Sequence, residues 1–102
     1  MIIITGTIKV ESEQEVARLR DALARRAERS RADDGNIDYV FTQNLEDPTE
    51  VRLIEKWESE EKLNAHLQLP DDEFGSVMAT AKIERAVVTS NDVASEKVLM
   101  ER

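Results

Sequence analysis

The 102-residue sequence predicts one α+β domain, in which helices cover one face of a four-stranded antiparallel sheet. The length is typical of a single domain. Segments that alternate between polar and apolar residues are interleaved with segments of helical period, in the order β-α-β-β-α-(α)-β. A short link at residues 44–48 separates the second strand from the third, which favours an antiparallel hairpin.

The first strand and the first helix are predicted near the start of the chain. Residues 2–10 alternate with period two and are rich in β-branched side chains, which indicates a strand. Ser12 and Glu15 match a capping box, in which the two side chains reciprocally satisfy free N–H groups at a helix start. The helix that follows has one narrow apolar stripe. Its members are Val16, Leu19, Leu23 and Ala27.

A breaker cluster at residues 33–36 separates this helix from the hairpin. In the second strand, Ile37, Tyr39 and Phe41 share one face. The third strand is predicted over residues 51–57, and one of its faces is apolar apart from a single carboxylate. That face carries Val51, Leu53, Glu55 and Trp57.

The remaining elements are two short helices and a strand. Residues 59–70 predict a helix with Ser59 as its N-cap. Residues 71–81 predict another helix, whose apolar side has the spacing i, i+3, i+4, i+7. That side consists of Phe74, Val77, Met78 and Ala81. Residues 84–90 predict the fourth strand, and residues 91–102 form a tail or an extra strand.

These elements fit the ferredoxin-like arrangement, a four-stranded antiparallel sheet with helices on one face. The opposite sheet face carries side chains that are too apolar for open solvent and too polar for a deep core. They are Ile3, Thr5, Thr7, Val40, Thr42 and Ile54. We therefore expect this face to pack on a second copy of the chain, which makes the protein a homodimer.

Charge and composition exclude several classes of function. The formal net charge of −8 argues against nucleic acid and anionic membranes as partners. One basic cluster is mixed with acidic residues and is predicted to be a solvated helix face. It contains Arg25, Arg26, Arg29 and Arg31. The absence of cysteine excludes disulfides and thiol nucleophiles. The start of the chain lacks the features of a signal peptide, so a cytoplasmic location is expected.

Three short motifs resemble a known family. They are Gly-Asn-Ile-Asp-Tyr at 35–39, Glu-Lys-Trp-Glu-Ser at 55–59 and Ala-His-Leu at 65–67. Together they resemble the antibiotic biosynthesis monooxygenase family of small dimeric α+β-barrel proteins. The resemblance spans residues 1 to about 90, and its most specific part is 55–67. It implies one such domain over residues 1–102.

The resemblance also implies an activity, which is the oxygenation of a small aromatic, phenolic or quinol-type substrate with molecular oxygen. Characterised members need no metal, haem or flavin, so no cofactor is expected. Oxygen reacts slowly with closed-shell organic molecules, and removal of a phenolic or enolic proton makes the substrate electron-rich. A base beside an apolar pocket is therefore the chemistry to look for.

His66 and Glu55 are the candidate catalytic residues. A histidine with an unperturbed pKa of about 6.5 suits a general base, although a half-buried structural histidine is the alternative. Glu55 alternates with Leu53 and Trp57, which places its carboxylate on the core side. Such a group is usually paired or directed at a cavity, so it could orient His66, act as the base itself, or form a structural ion pair.

Four residues are candidates for substrate binding. Trp57 and Tyr39 lie on core-facing strand positions, where an aromatic ring can form a pocket wall or simply fill the core. Phe74 and Met78 are expected on the opposite wall, and the same alternative applies to them.

Some positions depart from the family pattern. Leu53 and Leu63 replace polar groups of the polyketide-tailoring members. Ser76 occupies the position of the iron-binding histidine of the haem-degrading relatives, and the chain has no second histidine, which excludes haem ligation by that residue type and argues against haem degradation. The polar-to-leucine replacements favour a second hypothesis, a non-catalytic dimer of the same fold that holds a small apolar ligand or serves as an interaction module.

Overall fold

The computed structural model describes all 102 residues and consists of a four-stranded sheet and three helices. The strands are β1 (Ile2–Val10), β2 (Asn36–Gln43), β3 (Glu50–Trp57) and β4 (Ile83–Asp92), and the helices are α1 (Glu13–Arg31), α2 (Glu60–Leu67) and α3 (Asp72–Thr80). The strand order is β2-β3-β1-β4, and every neighbouring pair is antiparallel. This confirms the ferredoxin-like α+β prediction. Within one chain the sheet is open, and residues 93–102 form a tail outside the sheet.

The start of α1 keeps only half of the predicted capping box. The hydroxyl of Ser12 accepts the N–H of Glu15 at 3.1 Å, as predicted. The Glu15 carboxylate does not return to Ser12, because it accepts two bonds from the Arg18 guanidinium and one from the N–H of Lys82. Hydrogen bonds from a charged guanidinium are stronger than one from a neutral backbone amide, which explains why Glu15 binds Arg18 rather than Ser12. As a result, Glu15 ties α1 to the link between α3 and β4.

The core consists of two adjoining clusters between helices and sheet. One lies towards α2 and contains Ile2, Ile4, Ala27, Tyr39, Leu53, Trp57 and Leu63. The other contains Ile8, Val10, Val16, Leu19, Leu23 and Val51, and the apolar side of α3 packs against it. All four residues of the predicted α1 stripe are buried.

Strand β2 begins with a β-bulge that the sequence pattern does not reveal. Asn36 pairs with Trp57 and Asp38 pairs with Lys56, so Ile37 is an extra residue without a partner. Ile37 is consequently 53% exposed, whereas Tyr39 is buried. The prediction that both share one face is wrong for Ile37.

The helices leave part of the sheet uncovered. Helix α1 packs mainly on β2, with further contacts to α3 and β1, and α2 packs on β3. Strand β4 is exposed along its whole length. On the face away from the helices, Ile54 and Val87 are also exposed in the single chain. None of the helices combines the length and the apolar character needed to cross a bilayer.

Candidate functional site

Four of the six predicted site residues meet in the core at the α2 end of the sheet. Glu55 and Trp57 are alternate residues of β3, and Tyr39 pairs with Glu55 across to β2. His66 lies on α2, and its ring contacts the Trp57 indole with 4.5 Å between ring centroids and an angle of 36° between the ring planes. All four residues are buried. We call this group the Glu55 cluster.

Local sequence explains why His66 reaches Trp57. The hydroxyl of Ser59 accepts the N–H of Lys62 at 3.2 Å, which starts α2 after a link of only two residues from β3. Leu63 is buried in the same core as Trp57, so it fixes the face of α2 that turns inward. His66 lies one helical turn further along that face.

Glu55 is a buried carboxylate with a single hydrogen-bond partner. Its Oε1 accepts the indole Nε1–H of Trp57 at 2.9 Å. Burial raises the pKa of Glu55 above its ordinary value, and the bond from Trp57 and the charge of Arg26 only partly oppose this. Its Oε2 makes no hydrogen bond within the chain. Glu55 therefore offers one free oxygen and a pKa shifted towards neutrality.

His66 is held between a carboxylate and a guanidinium. Its Nδ1 lies 2.7 Å from Asp33 Oδ2, and its Nε2 lies 3.1 Å from Arg26 Nη2. A guanidinium can only donate, so Nε2 must be the acceptor. The proton of the neutral ring is then on Nδ1, which donates to Asp33. The lone pair that a general base would use is already occupied by Arg26.

Arg26 contacts this site and was not among the predicted site residues. Its side chain is 13% exposed, whereas those of Arg25 and Arg29 are 56% and 55% exposed. The prediction of a solvated helix face is therefore wrong for Arg26. The spacing of Arg26 indicates its inward position, because Arg26 lies three residues after Leu23 and falls within the buried stripe of α1.

Arg26 joins the Glu55 cluster to α3. Its Nη1 lies 3.3 Å from Asp71, the N-cap residue of α3, whose carboxylate also accepts the N–H of Phe74. The guanidinium carbon stands 4.8 Å from the centroid of the Phe74 ring, within cation–π distance. Its Nε is buried without a partner.

Tyr39 keeps its hydroxyl proton. Burial and the neighbouring Glu55 charge raise the pKa of the phenol, and the adjacent Arg26 and Ser30 only partly offset them. The Tyr39 ring lies 5.8 Å from the His66 ring and 5.7 Å from Phe41. Tyr39 can therefore act as a hydrogen-bond donor beside the Glu55 carboxylate.

The other two predicted binding residues lie outside the Glu55 cluster. Phe74 and Met78 are partly buried and pack against the second core cluster. The Phe74 ring lies 6.3 Å from Phe41, and Phe74 is connected to the Glu55 cluster indirectly, through Arg26 and through Phe41, which lies against Tyr39. The structure thus brings together four of the six residues and separates the remaining two.

Two cavities lie beside helix α1. The larger, of about 340 Å³, opens between α1 and the edge strand β2. The smaller, of about 230 Å³, is lined by residues of α1, by Asp33 just after that helix and by the link from α2 to α3, and Arg26 is among its lining residues. Neither is lined by Glu55 or His66. The smaller cavity is nevertheless bordered by both hydrogen-bond partners of His66.

The fold and the site together define a small ferredoxin-like α+β protein. Residues 1–73 match the model of the antibiotic biosynthesis monooxygenase family, and the chain belongs to that family. The resemblance seen in the sequence is thereby confirmed. Membership supports a general monooxygenase-type role.

Several solved structures share the fold along nearly the whole chain. A candidate antibiotic biosynthesis monooxygenase of Deinococcus radiodurans is 22% identical, with a TM-score of 0.85 over 99% of this chain and 100% of that one. One of Nitrosomonas europaea is 18% identical, with a TM-score of 0.78 over 93% and 100%. Rv0793 of Mycobacterium tuberculosis is 20% identical, with a TM-score of 0.75 over 96% and 100%. No curated protein sequence gives a significant match. At such low identities, the structural likeness shows the fold alone.

Proposed function

We propose that this protein is a cofactor-independent monooxygenase of a small phenolic or quinol-type substrate, with Glu55 as the general base. The observation that carries the proposal is the state of Glu55, a buried carboxylate with a raised pKa and one unpartnered oxygen. A general base is most effective when its pKa lies near the working pH, and burial shifts Glu55 in that direction.

The proposed reaction uses electrons from the substrate alone. Glu55 removes the proton of a phenolic hydroxyl, and the electron-rich phenolate then reacts with oxygen. One oxygen atom is bonded to a ring carbon that loses its hydrogen, and the other leaves as water. The phenol is oxidised to a quinone, and oxygen is reduced without an external donor.

The other residues of the site are proposed to orient the groups that react. The Trp57 indole N–H orients the Glu55 carboxylate, and the Tyr39 hydroxyl is a donor for the substrate oxygen. His66 is proposed as a positioning residue that supports Trp57, because Arg26 occupies its free lone pair. Phe74 and Met78 are retained as candidate substrate contacts on the α3 side.

The test is oxygen consumption over a panel of quinols and polyphenols, with no added cofactor. We expect turnover by the wild type and its loss in Glu55→Gln, since glutamine keeps the shape but cannot accept the proton. Glu58→Gln is the matched control, because Glu58 is exposed just beyond the end of β3. Turnover by Glu55→Gln at the wild-type rate would exclude Glu55 as the base.

The role of His66 has a separate test. If His66 positions Trp57, His66→Ala should lower turnover but keep an acidic limb in the pH profile, because Glu55 still supplies the base. A limb that disappears in His66→Ala would instead make His66 the base.

A second candidate function is that of a small-ligand-binding dimer without turnover. The location of the larger cavity favours it, because that cavity is not lined by Glu55 or His66. Binding of an aromatic ligand with no oxygen consumption across the whole panel would select this alternative.

We also propose that the protein is a homodimer, formed through the sheet face that the helices leave uncovered. The exposure of Ile54 and Val87 on that face supports this assembly.

A further inference from the structure

We infer that the cavity between α1 and β2 is a binding site for a small apolar carboxylate, with Arg20 holding the carboxylate group. The inference concerns binding only, so it does not depend on oxygenation at the Glu55 cluster. We call this cavity the α1–β2 groove. Its eleven lining residues come from α1, β2 and β3. They are Val16, Arg20, Leu23, Ala24, Ala27, Arg31, Val40, Phe41, Thr42, Gln43 and Val51.

The small residues of α1 create the space. Ala24 and Ala27 line the groove from the helix, between Arg20 and Arg31. Arg20 and Arg31 are three turns apart, which separates them by about 16 Å along the helix axis. Phe41 and Val51 form apolar walls on the sheet side. An elongated apolar body therefore fits along the helix, with a polar group at one end.

The charge of the groove is opposite to the charge of the molecule. Two arginines and no acidic residue line it, although the chain has a formal net charge of −8. The arginines attract an organic anion to the groove, although the rest of the molecule is acidic. Charge complementarity therefore points to a carboxylate rather than to a neutral or cationic ligand.

Arg20 is the better placed of the two arginines. It forms no hydrogen bond and no ion pair within the chain, so all its N–H donors are free. Arg31 already donates from Nη1 to the carbonyl oxygen of Tyr39 at 2.9 Å. A planar guanidinium matches a carboxylate with two parallel bonds, which fixes the orientation of the ligand as well as its charge.

The volume limits the size of the ligand. At about 340 Å³, the groove is at the lower end of the range for small-molecule sites. An aromatic acid with two fused rings is of a suitable size and has the required apolar body. We therefore choose 2-naphthoate as the probe, with 2-naphthalenemethanol as its uncharged analogue.

The experiment is a titration of the full-length ¹⁵N-labelled protein with 2-naphthoate, followed by amide chemical shifts. We expect saturable shifts at Ala24, Ala27 and residues 40–43. The neutral analogue should bind more weakly, and added salt should weaken the binding of 2-naphthoate. The absence of saturable shifts, or equal binding of both probes, would overturn the inference.

Two pairs of variants locate the site. Ala24→Leu should fill the groove and abolish binding, whereas Ala17→Leu, at an exposed α1 position outside the groove, should leave it unchanged. Arg20→Gln should weaken binding about fivefold, as expected for loss of an exposed charged contact. Arg85→Gln makes the same charge change on β4, at the opposite edge of the sheet, and should have no effect.

Each variant must first show the wild-type circular dichroism spectrum and melting temperature. If folded Ala24→Leu still bound the probe with wild-type affinity, the groove would not be the site. If Arg20→Gln bound as tightly as the wild type, the assignment of the carboxylate contact would be wrong.

Discussion

At the scale of single residues, Glu55 is placed where its charge is costly. It shares the core with Tyr39 and Trp57, and only the indole N–H donates to it. Burial of a carboxylate favours the protonated form, and one neutral hydrogen bond does not fully compensate. Such a residue lowers the stability of the fold but supplies a reactive group, and active sites often contain residues of this kind.

Glu55→Gln should therefore stabilise the fold increasingly as pH rises. Because the pKa of Glu55 is raised in the folded state, its stabilising contribution is complete below the unfolded pKa of about 4.5 and is lost as pH rises through the folded pKa. At pH 7 to 8 the wild type contains a buried charge that glutamine lacks. Urea unfolding between pH 4 and 8 measures the difference.

Exposed Glu58→Gln is the control for that measurement. A Glu55→Gln variant whose stability relative to the wild type does not change with pH would contradict the raised pKa. Greater stability together with lost oxygen consumption would be the combination expected of a catalytic base.

Part of this site could be predicted from the sequence, because part of it is local. Strand alternation places Glu55 and Trp57 on one face, and the Ser59 cap turns His66 back over them. The hydrogen bonds of His66 to Arg26 and Asp33 span 40 and 33 residues. The spacing of Arg26 from Leu23 indicates that Arg26 turns inward, but its partners, which are distant in the sequence, emerge only from the packing.

At the scale of elements, helix starts were predictable and strand register was not. Ser12, Ser59 and Asp71 each accept a backbone N–H as N-caps, and each was expected to begin a helix. The bulge at Ile37 leaves no trace in the sequence, because alternation continues unbroken through it. The pairing of β2 with β3 decides that register.

Glu15 makes the attachment of α1 sensitive to acid. The hydrogen bond from Arg18, followed by that from the N–H of Lys82, lowers the pKa of Glu15 to about 2. A lowered folded pKa stabilises above the unfolded value of about 4.5, and this contribution is lost as pH falls towards 2. The wild type should therefore be more stable than Glu15→Gln at pH 7, with a difference that shrinks between pH 4.5 and 2.

Thermal melts of the two proteins across this range test the expectation. Glu13→Gln, at an exposed position in the same first turn of α1, should show a much smaller difference from the wild type. A constant gap between the wild type and Glu15→Gln down to pH 2 would contradict it.

At the scale of the whole molecule, the sheet has one covered and one uncovered face. The mixed polarity of the uncovered face could be predicted from the sequence, because it depends only on the alternation of side chains along the strands. The sequence did not reveal that β4 is exposed on both sides, because this follows from where the three helices end. Exposed Ile54 and Val87 are what a self-associating surface would present.

The wild type should therefore have twice the 11.6 kDa chain mass by size-exclusion chromatography with light scattering. Ile54→Glu should shift the protein towards the single-chain mass, because it places a charge in the proposed interface. Leu45→Glu is the control, since Leu45 is fully exposed in the hairpin loop. A wild-type protein of single-chain mass would refute the dimer.

The chain contains one tryptophan and one histidine, and their rings are in contact. Fluorescence excited at the red edge of the indole band therefore comes entirely from the Glu55 cluster, without any introduced label. The imidazole signals in nitrogen-correlated magnetic resonance spectra likewise come only from His66. In such spectra, a ring protonated on Nδ1 has a pattern distinct from that of the commoner ring protonated on Nε2. Every change of proton position, ring contact or solvent access at this site can be followed in the unmodified protein.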